Sequence, residues 1–121
     1  MIELAAGLIL AHLLSDFILQ TDRIVEKKRA GGWTSLSLFL HTSGAGLLAA
    51  ILSMQWNIQA IWIGTITAVS HYVIDGLKIH WEEKHDLKSI WAFFIDQLAH
   101  VLVMAALVIW STAPQTVSQM L

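Results

Sequence analysis

The sequence predicts an all-α fold: a four-helix transmembrane bundle, formed by a single integral-membrane domain over residues 1–121. Three observations carry this expectation. Of the residues, 56% are hydrophobic and 13% charged, where a soluble domain carries about 25% charged residues. Four apolar segments approach the roughly 20 residues that a helix needs to cross the hydrocarbon core. Inside those segments, ionisable side chains recur at the i, i+4 spacing that places two residues on one helix face.

The first helix is expected over about 4–20. It is short for a span, which implies little tilt or local thinning of the bilayer. A signal peptide is a poor match, because Glu3 stands where a basic cluster would and His12 and Asp16 interrupt the apolar run, so the segment is expected to be retained. Residues 21–33 read as a charged connection holding Arg23, Lys27, Lys28 and Arg29. The second helix follows over about 34–54, where Ser43, Gly44 and Gly46 would let a neighbour approach closely. An uncharged link at 55–57 leads to the third helix, about 58–77. Lys78, which would snorkel to the interface, opens a solvated connection with His80, Glu82, Glu83, Lys84, His85 and Asp86. The fourth helix is expected over about 88–110, with Pro114 beyond its end, where a proline no longer disrupts a helix.

Charge orients these segments. The first and third connections hold the lysines and arginines, and the second holds none. The positive-inside rule puts the charged connections in the cytoplasm and both termini outside it. Trp33, Trp81 and Trp91 then fall near the inner interface and Trp56, Trp62 and Trp110 near the outer one, as an aromatic belt at each level.

Seven ionisable residues lie within the apolar segments: His12, Asp16, His41, His71, Asp75, Asp96 and His100. Six of them repeat. His12, Asp16 and His41 recur as His71, Asp75 and His100 at a constant offset of 59 residues. At about 1.5 Å per residue, all seven fall in the cytoplasmic half of the bilayer. The three i, i+4 pairs, His12/Asp16, His71/Asp75 and Asp96/His100, each form one polar stripe that must face the bundle interior. Two helical hairpins related by a pseudo-two-fold axis along the membrane normal would bring both His-Asp-His sets to the centre.

Intramembrane charge is costly and is read as a functional site. There is no cysteine, so disulfides and thiolate ligands are excluded. The remaining donors, imidazole and carboxylate, suit a divalent metal ion, zinc first, with manganese and iron as alternatives. Four His and three Asp exceed the ligands of one tetrahedral ion, and the two-fold repetition fits two. Gln20 and Gln97, near the same layer, could hydrogen-bond substrate or ligands, and each taken alone is read first as a helix-packing group. The net charge of −2 gives no pointer to nucleic acid. The expected partners are the lipid bilayer and either a second copy or another membrane protein.

Several stretches resemble motifs of a small bacterial membrane family, domain of unknown function 3307. They are His12-Leu-Leu-Ser-Asp16-Phe-Ile-Leu-Gln20-Thr, His41 after its Leu-rich lead, His71-Tyr-Val-Ile-Asp75 with Lys78, and Asp96-Gln97-Leu-Ala-His100. The resemblance runs over nearly the whole chain. It implies a prokaryotic inner (cytoplasmic) membrane protein and supplies no activity. A more distant likeness is to bacterial membrane proteins described as metal-dependent hydrolases, which also carry His and Asp in their helices.

The leading expectation is a small integral-membrane metalloprotein, a hydrolase acting at the cytoplasmic leaflet, with the seven residues as ligands or as partners of ligands. A transporter or channel component for a divalent cation or protons is the second reading, and an accessory subunit whose polar centre fixes helix register is the third.

Overall fold

The computed structural model describes residues 2–85 and 90–112, with residues 83–85 described by backbone alone. The described residues are helical, with no strand among them. Helix α1 spans Ile2–Leu13 and passes directly into a π-helical turn, Leu14–Ile18, closed by the bond from Leu19 N to Leu14 O at 2.8 Å. Asp16 sits inside this widened turn. Such turns re-aim side chains and recur at functional sites.

The chain then bends by 87° into a second helix, α2, Asp22–Gly31. Thr21 caps its start by accepting from Ile24 N at 3.3 Å, as N-cap threonines do. Here the structure corrects the sequence reading, which made residues 21–33 a connection. The segment is an amphipathic helix whose inner face carries Ile24, Val25 and Lys28, while Arg23, Glu26 and Lys27 face outward and the partly exposed Arg29 reaches across to Glu82. That periodicity is helical and of the kind that lies along an interface. Gly32, at φ 54°, ends α2 in a conformation natural to glycine, and a 3₁₀ turn, Gly32–Thr34, leads on. Ser35 joins the two elements. Its hydroxyl donates to the Lys27 carbonyl at 3.0 Å and accepts from Leu38 N at 3.3 Å, capping the next helix.

Helix α3 covers Leu36–Leu52, α4 covers Ile58–His85 and α5 covers Ile90–Ser111. Helix α4 thus runs past the expected end at residue 77, and the backbone of 78–85 is helix where a loop was expected. The side chains of Glu83, Lys84 and His85, and all of Asp86, Lys88 and Pro114, lie outside the described residues. By length and composition, Ile58–Glu82 and Ile90–Ser111 could cross a membrane, and the bent pair Ile2–Ile18 with Asp22–Thr34 would make a third span. At 17 residues, α3 is shorter.

Helix α1 packs on α3 and α5, and α4 packs on the same two, with the α3–α4 contact the most extensive. The four helices therefore close into a ring in which α1 stands across from α4, and α3 from α5. Small residues allow close contact between α3 and α4. A Cβ on Gly46 would lie 2.5 Å from the Gly64 carbonyl oxygen, and one on Gly64 2.9 Å from that of Gly46. Of the small residues expected to permit close approach, Gly46 does so and Gly44 faces open space.

The polarity of the molecule is inverted relative to a soluble protein. Large apolar side chains such as Ile9, Phe39, Leu47, Ile61, Leu102 and Ile109 are exposed on the outside. The buried groups include His71, Asp75, Asp96 and His100. An apolar core of Leu4, Leu8, Ala11, Ala49, Ile63 and Leu107 fills the other half of the ring.

Candidate metal centre

Each functional side chain reaches the centre because it lies on the inward stripe of its helix. On α5 the buried residues Ala92, Asp96, His100 and Leu107 follow the helical repeat. On α4 the stripe is Ile63, His71, Asp75 and Ile79. All seven residues expected from the sequence come together. The four imidazoles form one cluster, with ring centroids 4.3 Å apart for His71–His100, 4.8 Å for His12–His100 and 4.9 Å for His41–His71.

The carboxylates interleave with these rings. Asp16 Oδ1 accepts from Nε2 of both His41 and His71, each at 3.1 Å. Within the helices, His12 Nε2 lies 3.5 Å from Asp16 Oδ2, His71 Nδ1 3.4 Å from Asp75 Oδ1, and His100 Nε2 3.5 Å from Asp96 Oδ1. His100 Nε2 also lies 3.4 Å from Asp75 Oδ1. The repeated residues make corresponding contacts: His12–Asp16 answers His71–Asp75, and His41–Asp16 answers His100–Asp75.

Three sets of donor atoms could each hold one ion, with the atoms of a set within 4.8 Å of one another: His12, His71 and His100; Asp16, His41 and His71; and Asp16, Asp96 and His100. Asp16, His71 and His100 each belong to two sets. Asp75 belongs to none of them, and its Oδ2 has a cation as partner. Lys28 Nζ donates to Asp75 Oδ2 at 2.9 Å, both side chains being 8% exposed.

Lys28 is the residue that sequence reasoning missed. It was read with Arg23, Lys27 and Arg29 as a marker of topology. The available signal was its place three and four residues after Val25 and Ile24, on the apolar stripe of α2. Gln20 accepts a further hydrogen bond from Lys28 Nζ. Gln97, read as a packing group, bonds the centre itself: its Oε1 lies 3.0 Å from His12 Nε2, and its Nε2 donates to Asp96 Oδ2 at 3.0 Å. Lys78 reaches inward too, with Nζ 3.8 Å from Asp96 Oδ2.

A cavity of about 100 Å³ opens onto the centre from the α2 side. Its wall includes Asp16, Asp75 and Asp96 together with Lys28, Arg29 and Lys78. Counting the imidazoles as neutral, the three carboxylates outnumber the inward-reaching ammoniums of Lys28 and Lys78 by one. On the opposite side of the imidazoles lies a much smaller space of about 20 Å³, lined by Thr67, Ser70 and apolar residues such as Leu8 and Val103. Arg29 Nη2 lies 3.5 Å from Glu82 Oε2 and ties α2 to α4 at the mouth of the larger cavity.

Fold and site together define a class: a helical protein with two to three candidate membrane spans, closed around a cluster of four histidines and three aspartates, of which His71, Asp75, Asp96 and His100 are buried and the others half-buried. The chain belongs to the family described as Protein of unknown function (DUF3307), whose model matches residues 4–121. Neither a curated protein nor a solved structure matches it.

Proposed function

We propose that the chain is a small integral-membrane metalloprotein, a metal-dependent hydrolase whose His/Asp centre holds one or two divalent ions, zinc first among them. The observation that carries this reading is a set of buried donor atoms aimed at one another without hydrogen-bond geometry. His71 Nδ1, His100 Nε2 and Asp96 Oδ1 have no hydrogen-bond partner among the described residues. Yet each lies 3.4–3.5 Å from another donor of the cluster. Buried polar atoms are rarely left in that state. Bonds of about 2.0–2.2 Å around a tetrahedral ion set neighbouring ligand atoms roughly 3.3–3.6 Å apart, which matches the 3.5 Å between His100 Nε2 and Asp96 Oδ1, two members of one donor set.

A divalent ion would supply activation of water at neutral pH and positive charge against a phosphoryl or carbonyl oxygen. The residues of the chain supply the rest. Lys28 fixes Asp75 beside His71 and His100. Gln97 orients His12, the role of the outer hydrogen bond to a ligating imidazole. A carboxylate at the cavity wall accepts the proton of the attacking water.

The same reading has the ring of four helices cross the inner membrane of a prokaryotic cell four times. The 17 residues of α3 and of Ile2–Ile18 lie at the short end of the spanning range, about 17–25 residues. Basic α2 then lies on the cytoplasmic face with both termini outside, and the corresponding contacts of the two halves support a pseudo-two-fold axis along the membrane normal. Access from one side favours a hydrolase over a transporter, because Leu4, Leu8, Ala49, Ile63 and Leu107 fill the far half.

Elemental mass spectrometry on untagged protein purified without chelator tests the proposal. Roughly one or two equivalents of metal per chain are expected, lost in His71→Ala and in Asp16→Ala. A wild-type protein that stays empty after reloading with zinc, manganese and iron would sink it. Gln97→Leu should keep the metal site but weaken it about 10–100-fold, read by competition with a chromogenic chelator. An unchanged affinity would remove Gln97 from the centre.

A further inference from the structure

The polar cavity has an apolar neighbour. On the outer side of the α4–α5 seam runs a groove of about 700 Å³ whose walls include Ile74, Leu77, Trp81, Trp91, Ile95 and Ala99. That volume lies within the range of about 300–1,000 Å³ typical of small-ligand clefts. The groove and the cavity are not independent, because Lys78 and Asp96 line both. Lys78 stands at the junction, 28% exposed in its side chain, with Nζ 3.8 Å from Asp96 Oδ2. A ligand reaching from one space to the other therefore passes an ammonium group.

We propose that the substrate of this centre is an anionic membrane lipid ending in a phosphomonoester, its acyl chain in the α4–α5 groove and its terminal phosphate in the cavity. The inference rests on the hydrolase reading above and names its substrate class. Three features select this occupant. The groove is apolar and opens on the lipid-facing side, so it admits a chain from the bilayer without exposing that chain to water. The cavity holds about 100 Å³, room for a phosphate group or a few waters and too little for a large hydrophilic substrate. Its cations, Lys28, Arg29 and Lys78, face the carboxylates of Asp75, Glu82 and Asp96, and with Asp16 the wall carries one carboxylate more than cations, so a divalent ion at the centre would leave the cavity net positive and complementary to an anion. Hydrolysis of such an ester consumes one water: its oxygen bonds to phosphorus, the bond from phosphorus to the leaving oxygen breaks, and that oxygen takes one proton.

The test uses the full chain in phosphatidylcholine nanodiscs carrying a trace of phosphatidic acid with a diazirine in its tail. The same tail on phosphatidylcholine is the control, and metal content is measured on each sample. Photolabelling is expected to concentrate on Ile74, Leu77, Ile95 and Ala99 and to favour phosphatidic acid by about fivefold, the weight of one well-placed cation near a membrane. Lys78→Gln should erase that preference. Ala99→Trp, and independently Ile95→Trp, should plug the groove and remove the labelling while metal content stays unchanged. Labelling spread equally over the outer faces of α1 and α3, or indifferent to both plugs, overturns the proposal. Bound metal without groove labelling overturns the lipid substrate and leaves the metal reading standing. Absence of metal overturns the reading beneath it, whatever labels the groove.

Discussion

Lys28→Met is expected to destabilise the protein by about 3–5 kcal/mol, the cost of leaving one partner of a buried ion pair alone. The pair is Lys28 Nζ and Asp75 Oδ2 at 2.9 Å, with each side chain 8% exposed. Removing the ammonium leaves a carboxylate facing His71 and His100 with its one direct lysine contact gone. Removing both charges is a different matter. Buried pairs replaced together by neutral groups of similar size are often close to neutral in stability, so Lys28→Met/Asp75→Asn should recover most of the loss. Unfolding by sodium dodecyl sulfate in mixed micelles, for the two single variants and the double, gives the coupling energy as a double-mutant cycle. Strictly additive losses would show that the two residues do not act as a pair.

The α3–α4 seam carries the second large effect. Gly46→Leu should cost more than about 3 kcal/mol, beyond the usual penalty for overpacking. Its Cβ would stand 2.5 Å from the Gly64 carbonyl oxygen and 2.7 Å from the Ala68 Cβ. Backbone cannot swing aside as a side chain can, so the helices must separate. Gly44→Leu, two residues away, is the matched control. A Cβ there meets nothing within 4 Å, and replacing an exposed helical glycine gains up to about 1 kcal/mol in helix propensity. The same detergent titration reads both, and an equal response would remove the special status of the Gly46–Gly64 contact.

Much of this arrangement was legible in the residues. Apolar runs near 20 residues marked the helices, and the i, i+4 spacing of His12 with Asp16, of His71 with Asp75 and of Asp96 with His100 put each pair on one face, as found. What stayed hidden had a physical cause in each case. Helix α2 is polar over most of its surface, so its cations outweighed the Ile24–Val25–Lys28 stripe in any reading of charge. The widened turn at Leu14–Ile18 has no sequence signature, because a π turn is chosen by tertiary context. Residues 78–85 are charged enough to suggest a loop, yet they extend α4 past the apolar core. Gln97 looked interchangeable with any packing amide until His12, 85 positions away in sequence, arrived beside it.

The bend of 87° after Ile18 makes the two halves of the repeat unlike each other. After Asp75, α4 continues unbroken to His85. After Asp16, the chain turns sideways and delivers Lys28, a residue of the first half, to the aspartate of the second. Two carboxylates at corresponding positions thus have different occupations. Asp75 carries a built-in counter-ion, and among the described residues Asp16 has only imidazoles as close ion-pair partners. Residues equivalent by position thus differ in role, and the same substitution at one aspartate and at the other meets different neighbours.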